Sequence, residues 1–433
     1  MNTTKQQVWE QCDVNRQEFL DFLRELICVS AQGESDIQNI VSEKLQSIGL
    51  EVDNIDYLPQ KLSVRQEFAD PSTVDSEEHT SVVGKLSGNS ANRSLMLFAQ
   101  GDTMPVDGGV GWERKPFDPV IEDGRLYGWC VSDDLVGVAS MIYAIKSILD
   151  VGVKPKGDVI VASTPSKHRA RGIIAVLEKG YETDAVVYVH PAETGVGLEE
   201  IKQATAGLLS FRVTVPGRLP DTGEPGHTSF HHKAIDPLEK AVIVIQALQS
   251  LNVSRGKNVR HALYEEAIGR STNLHIAHIR CGEEKVLNRV SPECVLAGSV
   301  TLIPGEDLSD VQQQIAEVVH SASNSDPWLK EHPPILDWLV GTHGAEVSMD
   351  HPLYQTTKTN ITEVTGIEPH PNPLHTASDI RNPMLFNDIP TVGLGPKGGG
   401  LTQTGKHDEW VDVDESVMTI KVLAGMIMDW CEV

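Results

Sequence analysis

The chain has 433 residues, of which 40% are hydrophobic and 22% are charged. This length exceeds what one compact core usually holds, and the mixed composition is that of a globular protein and not of a disordered chain. The formal net charge of −25 argues against a nucleic-acid partner, because phosphate binding needs basic patches. No run of about eighteen apolar residues occurs, so no membrane association is expected.

The six cysteines are scattered along the chain and form no C-x-x-C pair. This distribution predicts reduced thiols and neither a disulfide framework nor a zinc ribbon. The polar first residues, MNTTKQQVWEQC, lack the apolar centre of a signal peptide. Together these features predict a cytoplasmic protein.

The first 200 residues alternate between predicted helices and predicted strands. In chain order the sequence predicts helices at 14–30 and 35–50, strands at 51–58, 81–88 and 94–102, a helix at 133–149, a strand at 157–164, a helix at 172–180 and a strand at 184–191. Such alternation predicts an α/β fold with a mostly parallel sheet flanked by helices. In such sheets the functional site lies outside the carboxyl ends of the strands.

The pattern changes after residue 200. A long strand at 203–218, a helix at 236–251, strands at 271–282 and 294–304 and a helix at 308–322 are predicted next. This order predicts a small α+β domain with an antiparallel sheet. The α/β pattern then resumes with a helix at 351–366, a strand at 389–396 and a final helix at 415–433. We therefore expect a first domain formed by 1–200 and 326–433, with an inserted domain at 201–325.

Several side chains that can carry chemistry follow predicted strands. Asp102 ends one strand within GDTMP, and Asp133 and Asp134 lie where a helix begins. Asp134 is equally well explained as a helix N-cap. His190 ends a strand beside Pro191, where an imidazole is a candidate metal ligand or acid–base group.

The order of motifs along nearly the whole chain resembles one family of metallohydrolases. The motifs include GDTMP, GWERKPFDPVIEDGRLYG, SDDLVGVASMIYAIKSI, HPAETG, NRVSPEC, SDIRN and HDEWV. The family includes acetylornithine deacetylase, succinyl-diaminopimelate desuccinylase, aminoacylase and glutamate carboxypeptidase. The resemblance implies a zinc-peptidase-like catalytic domain and an inserted lid that forms a homodimer.

The resemblance also implies a two-metal site, from which this sequence departs at most positions. The family histidine of an H-x-D motif falls on Gln100, although the orienting Asp102 is kept. Asp133 matches the aspartate that bridges the two metals. The family Glu–Glu pair, which supplies a ligand and the general base, falls on Ser166–Lys167 or on Lys167–His168. A later acidic ligand falls on His190 and a C-terminal histidine on Gly405, two residues before His407.

Two interpretations of this altered site remain open. In the first, Asp133 and His190 with His168 or His407 hold one divalent metal, zinc or manganese, and Gln100 is a weak ligand or a hydrogen-bond donor. In the second, no metal binds, and Lys167 with Arg169 or Arg171 makes a cationic site for a carboxylate or phosphate.

The general base is a separate question. Lys167 can replace the missing glutamate only if burial or neighbouring positive charge lowers its pKa. His168 or His190 has a more suitable ordinary pKa.

The predicted inserted domain keeps more of the family pattern. His227 matches the family histidine that polarises the substrate carbonyl of the partner subunit, and Asn288 matches a substrate-binding asparagine. Thr301 stands where the family often has an arginine that binds the substrate carboxylate. Arg381, in the SDIRN motif, could take over that role.

Taken together, these residues predict a hydrolase acting on a C–N bond of a small anionic amino-acid-like or aromatic acid, with one metal in a rebuilt site. The alternative is a metal-independent enzyme or a non-catalytic homologue that binds a ligand in the old cleft. The expected partners are a small-molecule substrate and a second copy of the chain.

Overall fold

A computed structural model of the chain describes residues 3–65, 67–90, 92–101, 111–165, 171–191, 194–223, 226–374, 378–401 and 406–433. These residues form two compact units. One contains 1–64, 71–204 and 346–433, and the other contains 65–70 and 205–345.

The secondary structure of the described residues alternates over most of the first 200 positions, as the sequence predicts. The α-helices are α1 (Thr3–Val14), α2 (Arg16–Ser30), α3 (Glu34–Ser47), α4 (Val136–Asp150), α5 (Gly172–Glu178), α6 (Pro237–Asn258), α7 (Ala262–Ile268), α8 (Leu308–Asn324), α9 (Pro327–Glu331), α10 (Pro352–Thr365), α11 (Arg381–Asn387) and α12 (Val413–Trp430). The strands are β1 (Glu51–Tyr57), β2 (Phe68–Ala69), β3 (His79–Leu86), β4 (Leu95–Gln100), β5 (Val120–Glu122), β6 (Arg125–Tyr127), β7 (Val159–Thr164), β8 (Ala185–Val189), β9 (Glu200–Lys202), β10 (Ala204–Thr205), β11 (Gly207–Pro216), β12 (Leu274–Cys281), β13 (Glu293–Leu302), β14 (Ile335–Thr342), β15 (Ala345–Glu346), β16 (His370–Asn372), β17 (Thr391–Leu394), β18 (Gly398–Gly399) and β19 (Trp410–Asp412).

The first unit is built on an eight-stranded sheet with the order β1-β3-β7-β4-β8-β17-β9-β16. Four of its seven neighbouring pairs are parallel, namely β4–β7, β4–β8, β8–β17 and β9–β16. The parallel strands β4, β7 and β8 are buried along their whole length, which explains their unbroken apolar sequences. The predicted α/β class is confirmed, with antiparallel strands added to the parallel centre.

Both faces of this sheet are covered by apolar side chains, because residues alternate between the two sides of each strand. Leu95, Leu97 and Ala99 of β4 pack into the core formed with α2, α3, α4 and α12. Met96 and Phe98 pack into a second core on the opposite face, together with residues of α5. Gln100 has the same parity as Met96 and Phe98 and therefore lies on the second face.

The second unit is an antiparallel sheet with the order β12-β13-β11-β14-β2. Its alternating burial along β11 and β13 is the pattern of a sheet with one face packed on a core. That core contains side chains of the amphipathic helices α6 and α8. The separate antiparallel α+β domain that the sequence predicts is therefore present.

The unit boundaries differ from the predicted ones at 200/201 and 325/326. The structure places them at 204/205 and 345/346 and adds residues 65–70 to the second unit. The reason is β14, which pairs with β11 from Leu208↔Thr342 to Thr214↔Ile335. β2 extends the same sheet by pairing with β14.

None of the helices in the described parts of the chain is long and apolar enough to cross a membrane.

His79 in β3 is placed between two carboxylates. Its Nδ1 lies 2.9 Å from Glu34 Oε1, and its Nε2 lies 3.2 Å from Asp75 Oδ2. The hydrogen bond with Glu34 raises the pKa of His79, against an opposing effect of burial, and Asp75 adds to the increase. Folding therefore strengthens proton binding at this imidazole.

The stabilisation from His79 should depend on pH with a defined sign. It is fully present below the unfolded pKa of about 6.5 and is lost as pH rises through the higher folded pKa. We expect His79→Asn to lower the midpoint of thermal unfolding clearly at about pH 6 and much less at about pH 9. His320→Asn, at an exposed position, is the control. An effect of His79→Asn that is equal at both pH values would contradict this assignment.

Candidate active site

Two neighbouring parallel strands end in polar residues at the same edge of the first unit's sheet. β4 ends at Gln100, and His190 directly follows the last residue of β8. Phe98 is in register with Tyr188, so Gln100 and His190 each lie two residues further along adjacent strands. This arrangement places the two side chains at the same level of the sheet edge.

A buried group of possible metal ligands surrounds His190. Ligand atoms of Asp133, Asp134 and His190 all lie within 4.8 Å of one another. His190 Nδ1 is 3.5 Å from Asp133 Oδ1 and 3.3 Å from Asp134 Oδ2. The three residues are at most 1% exposed. Asp133 and Asp134 lie in the turn Val131–Leu135 that precedes α4, and the backbone angles of both aspartates are not helical.

Asp134 does not cap α4 with its side chain. Its Oδ1 accepts a hydrogen bond of 3.1 Å from the backbone N–H of Gln100. The bond joins the end of β4 to the turn before α4, so the helix-cap explanation of Asp134 does not apply.

The side chain of Gln100 is hydrogen-bonded at both ends. Its Nε2 donates to Asp379 Oδ2 at 2.7 Å, and its Oε1 accepts from the hydroxyl of Tyr188 at 2.8 Å. The carboxylate requires a donor and the phenol supplies one, so these partners fix the orientation of the amide. Both polar atoms of the amide are therefore hydrogen-bonded to residues that line the site.

The ring of Tyr188 lies between two other rings. It stacks on Phe98 with centroids 4.6 Å apart and on the imidazole of His190 with centroids 5.0 Å apart. The planes are nearly parallel, at 11° and 5°. Because Gln100 holds the Tyr188 hydroxyl and Tyr188 supports His190, Gln100 contributes indirectly to the orientation of the imidazole.

Two further buried charged residues hold the main chain of the site. Glu409 Oε1 accepts from the backbone N–H groups of Ser132 and Asp133 at 2.7 and 2.9 Å. Lys202 Nζ donates to the carbonyls of His190 and Pro191 at 3.1 and 2.6 Å. The segments carrying Asp133 and His190 are thus each fixed by one buried side chain, as a precise ligand set requires.

The donor set suits a divalent transition metal. Imidazole and carboxylate groups are the usual ligands of zinc and manganese in hydrolases, and three protein groups leave a position for water. A divalent cation would also balance the charge of carboxylates buried this deeply. Asp133, Asp134 and His190 therefore fit a single metal ion.

The other site residues predicted in the first unit either lie away from Asp133, Asp134 and His190 or are not among the described residues. Asp102, Lys167, His168 and Gly405 are outside the described residues. His407 is exposed, and its ring lies against the backbone of Gly111. A Cβ atom added to Gly111 would lie 2.3 Å from Nε2 of His407. His407 is not part of the ligand group found among the described residues.

Arg381, predicted to bind a substrate carboxylate, is buried beside Asp379. Its Nη1 donates to the carbonyl of Ser378 at 3.0 Å and lies 3.4 Å from Asp379 Oδ1. Asn382 donates to the same carboxylate oxygen at 3.0 Å. Arg381 thus helps to position the Asp379 carboxylate, which accepts the hydrogen bond from Gln100.

His227 and Asn288, the two candidates from the inserted domain, lie close together in the second unit. Thr228 N donates to the carbonyl of Asn288 at 3.0 Å, and His227 forms an isolated bridge with Arg289. His227 Nδ1 accepts from the backbone of Ser229 at 3.1 Å. The two predicted substrate-contacting residues therefore belong to one local structure.

The buried group of Asp133, Asp134 and His190 beside the strand ends of this mixed sheet could hold a metal ion. The model of the family described as peptidase family M20/M25/M40 matches residues 96–429. The chain belongs to this family of amide-bond hydrolases, as its motifs predict.

Curated relatives and a solved structure agree with this assignment. The chain is 23% identical over 444 residues to N-formyl-4-amino-5-aminomethyl-2-methylpyrimidine deformylase of Halalkalibacterium halodurans, covering 97% of this chain and 96% of the relative. It is 25% identical over 331 residues to succinyl-diaminopimelate desuccinylase of Nitrosomonas europaea, covering 74% and 80%. An M20 family metallo-carboxypeptidase of Sulfolobus solfataricus superimposes with a TM-score of 0.70 at 16% identity, covering 96% of this chain and all of that one.

Sequence reasoning missed four contributors to the site, namely Tyr188, Lys202, Asp379 and Glu409. Asp379 and Glu409 lie in the SDIRN and HDEWV motifs, and Tyr188 precedes His190 by two residues on the same side of β8. The motifs are the available signal for Asp379 and Glu409, and the shared side of β8 is the signal for Tyr188. Lys202 gave none, because a lysine in a short strand normally faces solvent.

Replacing Gln100 should reveal how much the buried amide contributes. Gln100→Leu removes one hydrogen bond each from Asp379 and Tyr188, a loss of about 1–3 kcal/mol for buried polar groups. We expect a lower midpoint of thermal unfolding. Gln60→Leu, at an exposed position, should leave the midpoint nearly unchanged. Equal midpoints for the two variants would show that the amide is not important for stability.

Proposed function

We propose that this chain hydrolyses a C–N bond of a small anionic amino-acid-like or aromatic acid with the help of one divalent metal, zinc or manganese. The observation that carries the proposal is the buried group of Asp133, Asp134 and His190 in a chain of the M20 family. When bound, such an ion supplies Lewis acidity for activating water and polarising the scissile carbonyl.

The proposal specifies one metal instead of two because of Gln100. The family pattern puts a metal-binding histidine at this position, whereas both ends of the Gln100 amide are engaged with Asp379 and Tyr188. An amide oxygen that already accepts a hydrogen bond is a poor substitute for an imidazole. The imidazole of His190 on the neighbouring strand takes its place.

We assign proton transfer to Lys167 or His168, in the segment that replaces the family Glu–Glu pair. Asp102 keeps its predicted orienting role, and His227 and Asn288 keep theirs toward the substrate. Support for these roles is the order of motifs along the chain. For His227 and Asn288 the adjacency of their backbones adds to it.

The substrate class is suggested by the names of the relatives. A deformylase and a desuccinylase each remove a small acyl group from an amine. We infer the same type of reaction for this chain, carried out in the cytoplasm on a small acylated amine that bears a carboxylate.

Metal binding gives the most direct test. We expect zinc or manganese titrated into the metal-depleted protein to bind with about one equivalent in calorimetry. Asp133→Asn and His190→Ala should weaken metal binding by about 100-fold or more. Changes in residues that only support the ligands typically weaken metal binding by about 10–100-fold, and the loss of a ligand should cost at least as much. His320→Ala, an exposed histidine, should bind as the parent protein does.

Turnover of N-formyl, N-acetyl and N-succinyl amino acids, with and without chelator, completes the test. Activity that is lost with chelator and restored by the metal supports the proposal. Activity that survives complete metal removal would establish the metal-independent alternative. Ligand binding without turnover would establish the non-catalytic one.

We also propose that the chain forms a homodimer through the inserted domain. β12 is an edge strand of the second unit's sheet, and Ile279 on it is 51% exposed. α6 carries the exposed apolar residues Val242 and Val253. An unpaired strand edge beside exposed apolar side chains is a suitable surface for pairing with a second copy.

Ile279→Arg tests this surface. We expect the parent protein to sediment as a dimer and Ile279→Arg to shift it toward the monomer, because a charge is placed in the apolar contact. Ile335→Arg changes an isoleucine that is 62% exposed in β14, away from the β12 edge, and should remain dimeric. A parent protein that is monomeric at all concentrations would refute the dimer.

A further inference from the structure

Two of the six cysteines, although thirteen positions apart in the sequence, face each other across the sheet of the second unit. Cys281, the last residue of β12, is in register with Cys294 of β13. Directly opposed residues of antiparallel strands have Cα atoms about 4.5–5.5 Å apart. This separation falls within the range of about 4.4–6.8 Å that disulfides require.

The two side chains lie on the same face of the sheet. Cys294 is fully buried in the hydrophobic core of the second unit, and Cys281 is partly buried against that core. Directly opposed residues of paired strands share a face, so both side chains point toward this core. No backbone movement is therefore needed to bring the pair together.

Their surroundings keep both thiols protonated. Burial raises the pKa of Cys294 to about 12 and also raises the pKa of Cys281. The thiolate is the reactive form, so the pair is slow to react at neutral pH. Cys281 is the more accessible of the two and would react first with an external reagent.

We propose that Cys281 and Cys294 form a reversible cross-strand disulfide by exchange with a low-molecular-weight disulfide such as oxidised glutathione. The Cys281 thiolate attacks one sulfur of the reagent, forms a mixed disulfide and releases one thiolate. The Cys294 thiolate then attacks Cys281 Sγ and releases the second thiolate. The two cysteine protons pass to the released thiolates, so two thiols are oxidised and one disulfide is reduced.

The new bond would close the hairpin loop between β12 and β13. That loop carries Asn288, and its backbone pairs with the segment around His227 through Thr228 N to Asn288 O at 3.0 Å and Val290 N to Gly226 O at 2.6 Å. Closing a loop removes conformational freedom from the unfolded chain. Oxidation should therefore stabilise the second unit and limit the motion of this loop.

Peptide mapping of the full chain tests the proposal. The protein is incubated with oxidised glutathione at about pH 9.5, above the ordinary pKa of cysteine, because the raised pKa values of the two thiols slow the exchange, and it is then digested without reductant. We expect a Cys281–Cys294 linked peptide, the loss of the free thiols of both residues, and a higher midpoint of thermal unfolding that dithiothreitol reverses. Cys28→Ser, which removes the exposed thiol, should give the same linkage.

Cys281→Ala and Cys294→Ala provide the matched controls. Neither should show the oxidation-dependent rise in the unfolding midpoint, even if the packing change lowers the midpoint itself. Free thiols at both Cys281 and Cys294 after oxidation would overturn the proposal. So would a stable mixed disulfide at Cys281, because it would show that Cys294 cannot reach it.

Discussion

The buried amide of Gln100 is the interaction on which the arrangement of the site depends. A polar group at the end of a buried parallel strand must find partners inside the protein. Gln100 finds them in Asp379 and in Tyr188, which come from different parts of the chain. Its backbone N–H also holds Asp134. One residue therefore connects the end of β4, the turn before α4, the start of α11 and the aromatic stack that supports His190.

The electrostatic consequence concerns the buried carboxylates. The Asp379 carboxylate accepts hydrogen bonds from Gln100, Arg381 and Asn382. These donors balance its negative charge. Asp133 and Asp134 instead face the imidazole of His190. A bound cation would balance the charge of these two carboxylates. Glu409 and Lys202 hold the main chain of the segments that carry Asp133 and His190, and a metal ion demands fixed ligand positions.

The sequence predicts the fold well where burial is uniform. β4, β7 and β8 are recognisable because strands covered on both faces are continuously apolar. β14 was not predicted, because residues 335–342 are only partly buried and follow two prolines. α1 was also missed, since its sequence has no regular apolar spacing. For the site, Asp133 and His190 could be placed from strand ends and motifs. The hydrogen bond between Gln100 and Asp379 could not be predicted, because the two residues are 279 positions apart in the sequence.

The register of β4 and β8 links two of the departures from the family pattern. The resemblance puts a histidine at position 100 and an acidic ligand at position 190, whereas this chain has Gln100 and His190. These positions lie at one level on adjacent parallel strands, two residues beyond the Phe98↔Tyr188 pair. In this chain the imidazole of the pair lies on β8, stacked against Tyr188. Gln100 is hydrogen-bonded to Asp379 and Tyr188, while His190 on the next strand faces the two aspartates.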